Sequence, residues 1–584
     1  MTATGPQPSG IALVNPSVGY SDRRKSKPIG LAYIGAYLRH NGFEASGFDF
    51  GDSPEAPVDL SARHGLDRFA MVGFSVYNES LDATLEHAAW IKRRNPAARV
   101  VLGGPHATAV HTEIMRDCPD VDVVVRREGE KPMLDLARRG EDSWLDIPGT
   151  TVRLPSGEIR VNIDSPFLDD LDALPFPDFP FVSDSGYPPL TYFDSARGTL
   201  LPALAVNSSR SCPYNCSFCG VLTIGRKYRM RSGESVVAEM AHFRAADGLD
   251  YKHVYFSDAN FYVYPKRALL IVQALHAYDP EITFSFGTRV NQLIKHQSFI
   301  PDLKECGLRF VELGIESASP QVLKRLAKGV EPADNLGAVR LLERHGLGVS
   351  LDFIMIDPET TIEDLRANQA FLRAGGFYDY VPHEHLYTHL VLYAGTPIRN
   401  YYEERRGTAF GMSELPPIET LIEDAATARA HAALVWFRAA YQPAVDLVLA
   451  EAEALLQSRA RHRERHPVTP DELALQLDVV AARHAPNLFF DNVLDDCERR
   501  GGGRATAVSG ASGTPGTPEE FAALLPRPGT GSPGLDGLLL RAAARIDALA
   551  SRGTGEAEVT GRTRALLRTA PPVATVNGVA ADGS

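Results

Sequence analysis

The chain has 584 residues, 44% of them hydrophobic, and carries 60 Lys and Arg against 73 Asp and Glu, a formal net charge of −13. That length implies three or four domains with ordinary cores, and an acidic balance with no long basic run argues against a nucleic-acid partner. No run of ~18 apolar residues offers a membrane span and the opening MTATGPQPSG lacks a signal-peptide pattern, so a soluble chain in a reducing cytoplasm is expected, where structural disulfides are rare.

Residues 1–144 alternate short apolar strands with amphipathic helices, the pattern of an α/β, doubly wound parallel sheet. Strands are predicted at 11–15, 44–49, 69–75, 98–102 and 121–125, with a first helix around 31–38. Ligands on such sheets lie beyond the carboxyl ends of the strands. The loops to watch are therefore 15–20, 75–78 and 103–108, together with Glu128-Gly129-Glu130 after the fifth strand. No G-x-G-x-x-G follows the first strand, which disfavours a dinucleotide site.

Residues 145–195 read as a connector rich in Pro and Asp, with Pro175 and Pro177 at its rigid centre. A second βα series follows over 196–405, with strands predicted at 203–207, 253–257, 283–287, 310–314, 349–356 and 386–393. Six βα units imply a partial or complete barrel whose site lies at the carboxyl mouth of the strands. Residues 406–500 read as helices, clearest over 420–456, and 501–584 as a low-complexity, largely disordered tail interrupted by one helix near 535–550.

Half of the six cysteines fall in Ser211-Cys212-Pro213-Tyr214-Asn215-Cys216-Ser217-Phe218-Cys219, directly after the first strand of the second series. Three thiolates on one short loop can hold three irons of a [4Fe–4S] cluster and leave the fourth open. Zinc prefers four closed ligands in paired units, and no second pair exists here. The other cysteines, Cys118, Cys306 and Cys497, are scattered.

In domain order as well as motif, residues of about 10–400 resemble the cobalamin-dependent radical S-adenosylmethionine (SAM) methyltransferases. The resemblance implies a [4Fe–4S] cluster on Cys212, Cys216 and Cys219, shielded by Phe218, with SAM on the open iron. It implies SAM contacts at Asp258, Arg289, Glu316 and Ser317, and an adenine-contact region at 353–360. The N-terminal sheet is similar to the family's cobalamin domain, with Ser75, Val76, Tyr77, Asn78, Gly103, Gly104, Pro105, His106 and Glu128 as corrinoid contacts. The histidine-bearing D-x-H-x-x-G element is replaced by Asn15-Pro16-Ser17-Val18-Gly19-Tyr20, which leaves Tyr20, Tyr77, Asn78 or the Arg23–Arg24 pair beneath cobalt. An external reductant such as a flavodoxin or ferredoxin is implied, and a monomer is expected.

Substrate contacts are expected at the barrel mouth and the C-terminal helices. His383-Glu384-His385-Leu386-Tyr387-Thr388-His389 gathers imidazoles, a carboxylate and a phenol, so Glu384, Tyr387 and the nearby Tyr393 are the candidate catalytic groups. H-x-H could alternatively pair two imidazoles on a metal, and all of these could be ordinary loop and strand residues.

The implied activity is C-methyl transfer, from SAM through methylcobalamin, to a small-molecule or carrier-bound natural-product intermediate such as an electron-rich heteroaromatic in antibiotic biosynthesis. The alternative is a rearrangement or cyclisation with the same cofactors and no methylation. A non-enzymatic cobalamin sensor or carrier would not need an open-iron site. A tRNA methylthiotransferase would carry three further cluster cysteines upstream and a basic RNA module, and the sequence has neither.

Overall fold

The computed structural model describes residues 10–17, 28–51, 53–139, 144–179, 190–194, 199–379, 383–461, 468–501, 516–526, 534–550 and 558–568. β1 (Ile11–Asn15), β2 (Ala45–Asp49), β3 (Met71–Ser75), β4 (Arg99–Gly103) and β5 (Val123–Val125) run parallel in the order β2-β1-β3-β4-β5. Both faces are covered. Ile11 and Leu13 pack into one core with Leu31 and Leu38, while Ala12 and Val14 pack into the other with Leu81 and Ile91. Burial on both faces is why these strands read as near-continuous apolar runs.

The connector does more than link. β6 (Thr150–Arg153) pairs antiparallel with β5, and β7 (Ile159–Val161) with β6, so the first sheet gains a two-strand antiparallel edge. Arg126 at the end of β5 pins this hairpin, with Nη1 donating to Asp164 at 2.5 Å.

The second sheet has the order β15-β14-β13-β12-β9-β8. β9 (Thr199–Val206), β12 (His253–Phe256), β13 (Thr283–Arg289), β14 (Leu308–Glu316) and β15 (Gly348–Phe353) are parallel and curl into a partial barrel, and β8 (Leu190–Asp194) adds antiparallel to β9. The strand predicted at 386–393 does not form. A 3₁₀ turn at Glu384–Leu386 and one bridge between Ile356 and His389 stand in its place. Leu386, Leu390 and Leu392 of this run are nevertheless buried in the main core.

The C-terminal helices are Ala425–Ala440, Gln442–Arg461 and Pro470–Gly501, joined by stacked rings such as Phe437 on Phe489 at 4.6 Å. Beyond them Pro518–Ala522, Leu535–Ala550 and Glu558–Arg568 are also helical. Composition argued that this tail could not bury enough apolar surface. Leu535–Ala550 does so because Leu538, Leu539, Ala542, Ala543 and Ile546 share one helical face, and that face packs on the two preceding long helices. Among the described residues no helix is long and apolar enough to cross a membrane.

Candidate active site

β9 delivers the chain to the carboxyl mouth of the second sheet, where Asn207 Nδ2 donates to the Ser257 carbonyl at 3.0 Å. The next two hydroxyls, of Ser208 and Ser209, donate to the Asp258 carboxylate, the first at 2.9 Å. Asp258 is buried and its pKa is raised by that burial. Its two oxygens are engaged in holding the entry to the cysteine loop, which differs from the SAM contact expected of it.

β10 (Ser209–Arg210) and β11 (Arg229–Met230) then form a short antiparallel ladder, and the cysteines lie on the excursion between them. Ser211 turns the chain with φ of +68°. Ser217 ties the loop to the end of the helix Pro320–Arg325, its N–H donating to the Leu326 carbonyl at 3.1 Å and its hydroxyl to the Arg325 carbonyl at 2.7 Å. Phe218 is half-buried against the main core. Arg289, at the end of β13, donates through Nη1 to Cys216 Sγ and through Nη2 to the Lys328 carbonyl, with its guanidinium 4.4 Å from the Tyr214 ring centroid. Burial pushes the Cys219 thiol up to about 11 and raises Cys212 as well. Such thiols ionise only beside strong positive charge.

The donor set fits an open-iron cluster. Three cysteines share one loop and a cation faces one sulfur, as expected of three thiolates each taking a different iron.

Glu316 ends β14 with φ of +62° and meets Lys328 at 3.0 Å, both nearly buried. The Ser317 hydroxyl donates to Asn368 Oδ1 at 2.9 Å. Sequence reasoning missed the neighbouring residues. The strand register puts Tyr255, Glu312 and Asp352 on one face of the sheet, and Tyr255 donates to Glu312 at 2.7 Å. Asp352 is open to the hollow of the curled sheet yet crowded by protein, and that enclosure, reinforced by Glu312 and Glu316, pushes its pKa up to about 9. The signal was the period-2 recurrence of polar residues inside otherwise apolar strands.

At the carboxyl edge of the first sheet the two predicted loops are laced together, Val76 N–H donating to Gly103 O at 2.7 Å and His106 N–H to Val76 O at 3.3 Å. Gly104 has φ of +97°, and a Cβ there would sit 2.8 Å from the Val76 carbonyl oxygen, so only glycine fits. Ser75 ends β3, Pro105 opens the short helix after Gly104, and Tyr77 is 50% exposed. Asn78 reaches the segment that follows the second βα series, Nδ2 donating to Ser413 O at 3.0 Å, while its Oδ1 and His106 Nε2 are buried without partners. His106 is held neutral, its pKa pushed down to about 4 by burial and then by Arg399. A glycine cradle with two unmatched polar atoms fits a bulky, amide-rich ligand such as a corrinoid. Glu128 does not belong to that cradle, since both its oxygens are taken by Arg229 at 2.6 and 2.8 Å. Tyr20 and the Arg23–Arg24 pair lie outside the described residues.

The His383–His389 segment faces the C-terminal helices. His383 Nε2 bonds the Arg483 carbonyl at 2.7 Å, and the Tyr387 hydroxyl donates to Gln442 Oε1 at 2.8 Å beneath the Arg438 guanidinium. Glu384 is exposed. Of the three expected catalytic groups, Tyr393 alone sits between the domains, its hydroxyl 3.4 Å from Glu79.

Residues 22–137 match the B12 binding domain family and residues 206–372 the Radical SAM superfamily. An uncharacterized methyltransferase of Pyrococcus horikoshii is 28% identical over 356 residues, 59% of this chain and 73% of the relative. The anaerobic magnesium-protoporphyrin IX monomethyl ester cyclase of Rubrivivax gelatinosus is 24% identical over 59% of this chain, and the alignment spans less than two thirds of that relative, 62%. The cobalamin-dependent SAM radical enzyme OxsB, solved with aqua-cobalamin and SAM bound, superposes with a TM-score of 0.66 at 16% identity over 96% of this chain and 84% of its own. The chain is thus a B12-binding domain fused to a radical SAM domain, in the fold of the cobalamin-dependent radical SAM enzymes.

Proposed function

We propose that this chain uses a [4Fe–4S] cluster, SAM and cobalamin to rearrange or close a ring in a small molecule. The observation that supports this most is the similarity to the anaerobic magnesium-protoporphyrin IX monomethyl ester cyclase of Rubrivivax gelatinosus. The superposition on OxsB over 96% of the chain supports the fold common to both readings. Methyl transfer is the second reading, favoured by the Pyrococcus methyltransferase.

Bound together, cluster and SAM supply a radical able to remove a hydrogen atom, and the corrinoid supplies a second redox- or methyl-carrying centre. Cys212, Cys216 and Cys219 would hold the cluster, with Arg289 donating to Cys216. Glu316 and Lys328, one charge of each sign, lie at the mouth near Cys219 and would receive the amino and carboxylate ends of SAM. Tyr255, Glu312 and Asp352 line the hollow beneath and would orient substrate by hydrogen bonds, with Asp352 holding its proton at neutral pH. The strap through Ser413, held by Asn78 and by Arg399 donating to Gly411 and Glu414 carbonyls, would close the junction to water.

The test is anaerobic incubation of the reconstituted chain with methyl-deuterated SAM and an extract of the cell that makes it, read by mass. A product without label and lighter by two hydrogens, or isomeric, supports ring chemistry. A labelled methyl group in the product supports the second reading instead.

A further inference from the structure

The root of the cysteine loop is joined to the first domain by four charged side chains. In the β10–β11 ladder Arg210 pairs with Arg229, so the whole excursion bearing the cysteines leaves and returns through these two residues. Both turn towards the segment after β5. Arg229 forks onto Glu128 at 2.6 and 2.8 Å, and Arg210 meets Glu130 at 2.7 Å and Glu128 at 3.5 Å. Aromatic rings flank both guanidinium groups, Tyr33 at 5.1 Å from Arg210 and Phe167 at 4.5 Å from Arg229. Gly129, between the two glutamates, lies so close to Ile34 that a Cβ would approach it to 2.8 Å, which fixes the segment against the helix Ile29–His40.

We propose that Glu128, Glu130, Arg210 and Arg229 form a positioning clamp that sets the register between the cluster loop and the corrinoid edge of the first sheet. The inference rests on the proposed cofactors, and none of the four residues is itself a ligand or catalytic group. A bidentate arginine–carboxylate pair fixes orientation as well as distance, and Arg229 and Glu128 are only 4% and 13% exposed, so water does not loosen it. Glu128 and Glu130 sit just beyond the carboxyl end of β5, on the same sheet edge as Gly104 and His106, so displacement of the clamp displaces one cofactor site relative to the other. Misplacement by ~1 Å can cost about a hundredfold in rate.

The test compares Glu128→Gln with wild type, both loaded with cluster and cob(II)alamin. Iron, sulfide and cobalamin contents should be unchanged, while the broadening of the cob(II)alamin EPR signal by the reduced cluster falls and backbone hydrogen exchange at 211–220 rises by about tenfold, the mark of a looser local structure. Arg229→Lys, which keeps the charge but loses the fork, should lie between. Wild-type coupling and exchange in Glu128→Gln would overturn the clamp. If that variant loads no cluster, exchange measured without cofactors decides the matter, parity with wild type again counting against the clamp. Failure of the wild-type chain to take up cobalamin would instead overturn the proposed function, and the exchange comparison would still judge the clamp.

Discussion

Arg289 donates to the sulfur of Cys216 from the end of the neighbouring strand but one, with its other terminal nitrogen anchored on the Lys328 carbonyl. A cation hydrogen-bonded to a cluster thiolate favours the reduced, more negative cluster. A hydrogen bond to a charged group is worth about 1.5–3 kcal/mol, which for a one-electron couple is on the order of 60–130 mV. Arg289→Met should therefore lower the cluster potential by roughly that amount, with Arg289→Lys in between. EPR-monitored potentiometry measures it, and an unchanged potential would mean that the contact does not persist with the cluster bound.

The buried Glu316–Lys328 pair makes a stability prediction. Lys328→Met leaves the Glu316 carboxylate enclosed and unpaired, a loss of about 3–5 kcal/mol. Adding Glu316→Gln should recover much of it. Urea unfolding of both variants at neutral pH checks the difference, and equal stability of the single and double variants would refute the coupling.

Asp352 and His106 give opposite pH dependences. Asp352 has a folded pKa of about 9 against 3.8 for an ordinary aspartate, so it contributes stability that is present below pH 4 and is lost as pH rises towards 9. Asp352→Asn should flatten that decline and gain on wild type with rising pH. His106 has a folded pKa of about 4 against 6.5, so its contribution is present above pH 6.5 and is lost as pH falls to 4. His106→Gln should flatten the acid limb only. Unfolding free energy followed from pH 4 to 9 separates the two.

The helix Leu535–Ala550 is part of the folded C-terminal region on this account. Leu539, fully buried, should cost about 2–5 kcal/mol when replaced by Ala. Truncation after residue 501 should expose the faces of Gln442–Arg461 and Pro470–Gly501 that it covers. Thermal unfolding and dye binding report both effects. A truncated chain as stable as the full one would show that the contact is idle.

The parallel strands of both sheets were legible in the sequence because buried parallel strands are short apolar runs, and β1 falls on the predicted 11–15 without a shift, whereas the antiparallel β6, β7 and β8 lie in what reads as a connector. The cysteine loop was legible because its spacing is local. What the sequence hid is set by distant partners. Glu128 stands 101 residues from Arg229, and nothing near it says that its carboxylate is committed to the domain junction rather than to a ligand. Asp258 is likewise committed to two serines 49 and 50 residues earlier. The 386–393 run alternates as a strand would, but its one bridge to the sheet is between Ile356 and His389, while Tyr387 bonds Gln442 on the C-terminal helices. Tyr255, Glu312 and Asp352 come from three strands, and only the register brings them to one face.

The most direct test of the account is anaerobic reconstitution of the wild-type chain and of Cys216→Ala with iron, sulfide, hydroxocobalamin and SAM, followed by assay of bound cofactors and of 5′-deoxyadenosine. Wild type should hold about four irons and about one cobalamin per B12-binding domain, and should release 5′-deoxyadenosine under reduction. The variant should keep the cobalamin and lose SAM cleavage. Cleavage that persists in Cys216→Ala, or a wild-type chain that binds no corrinoid, would contradict the account.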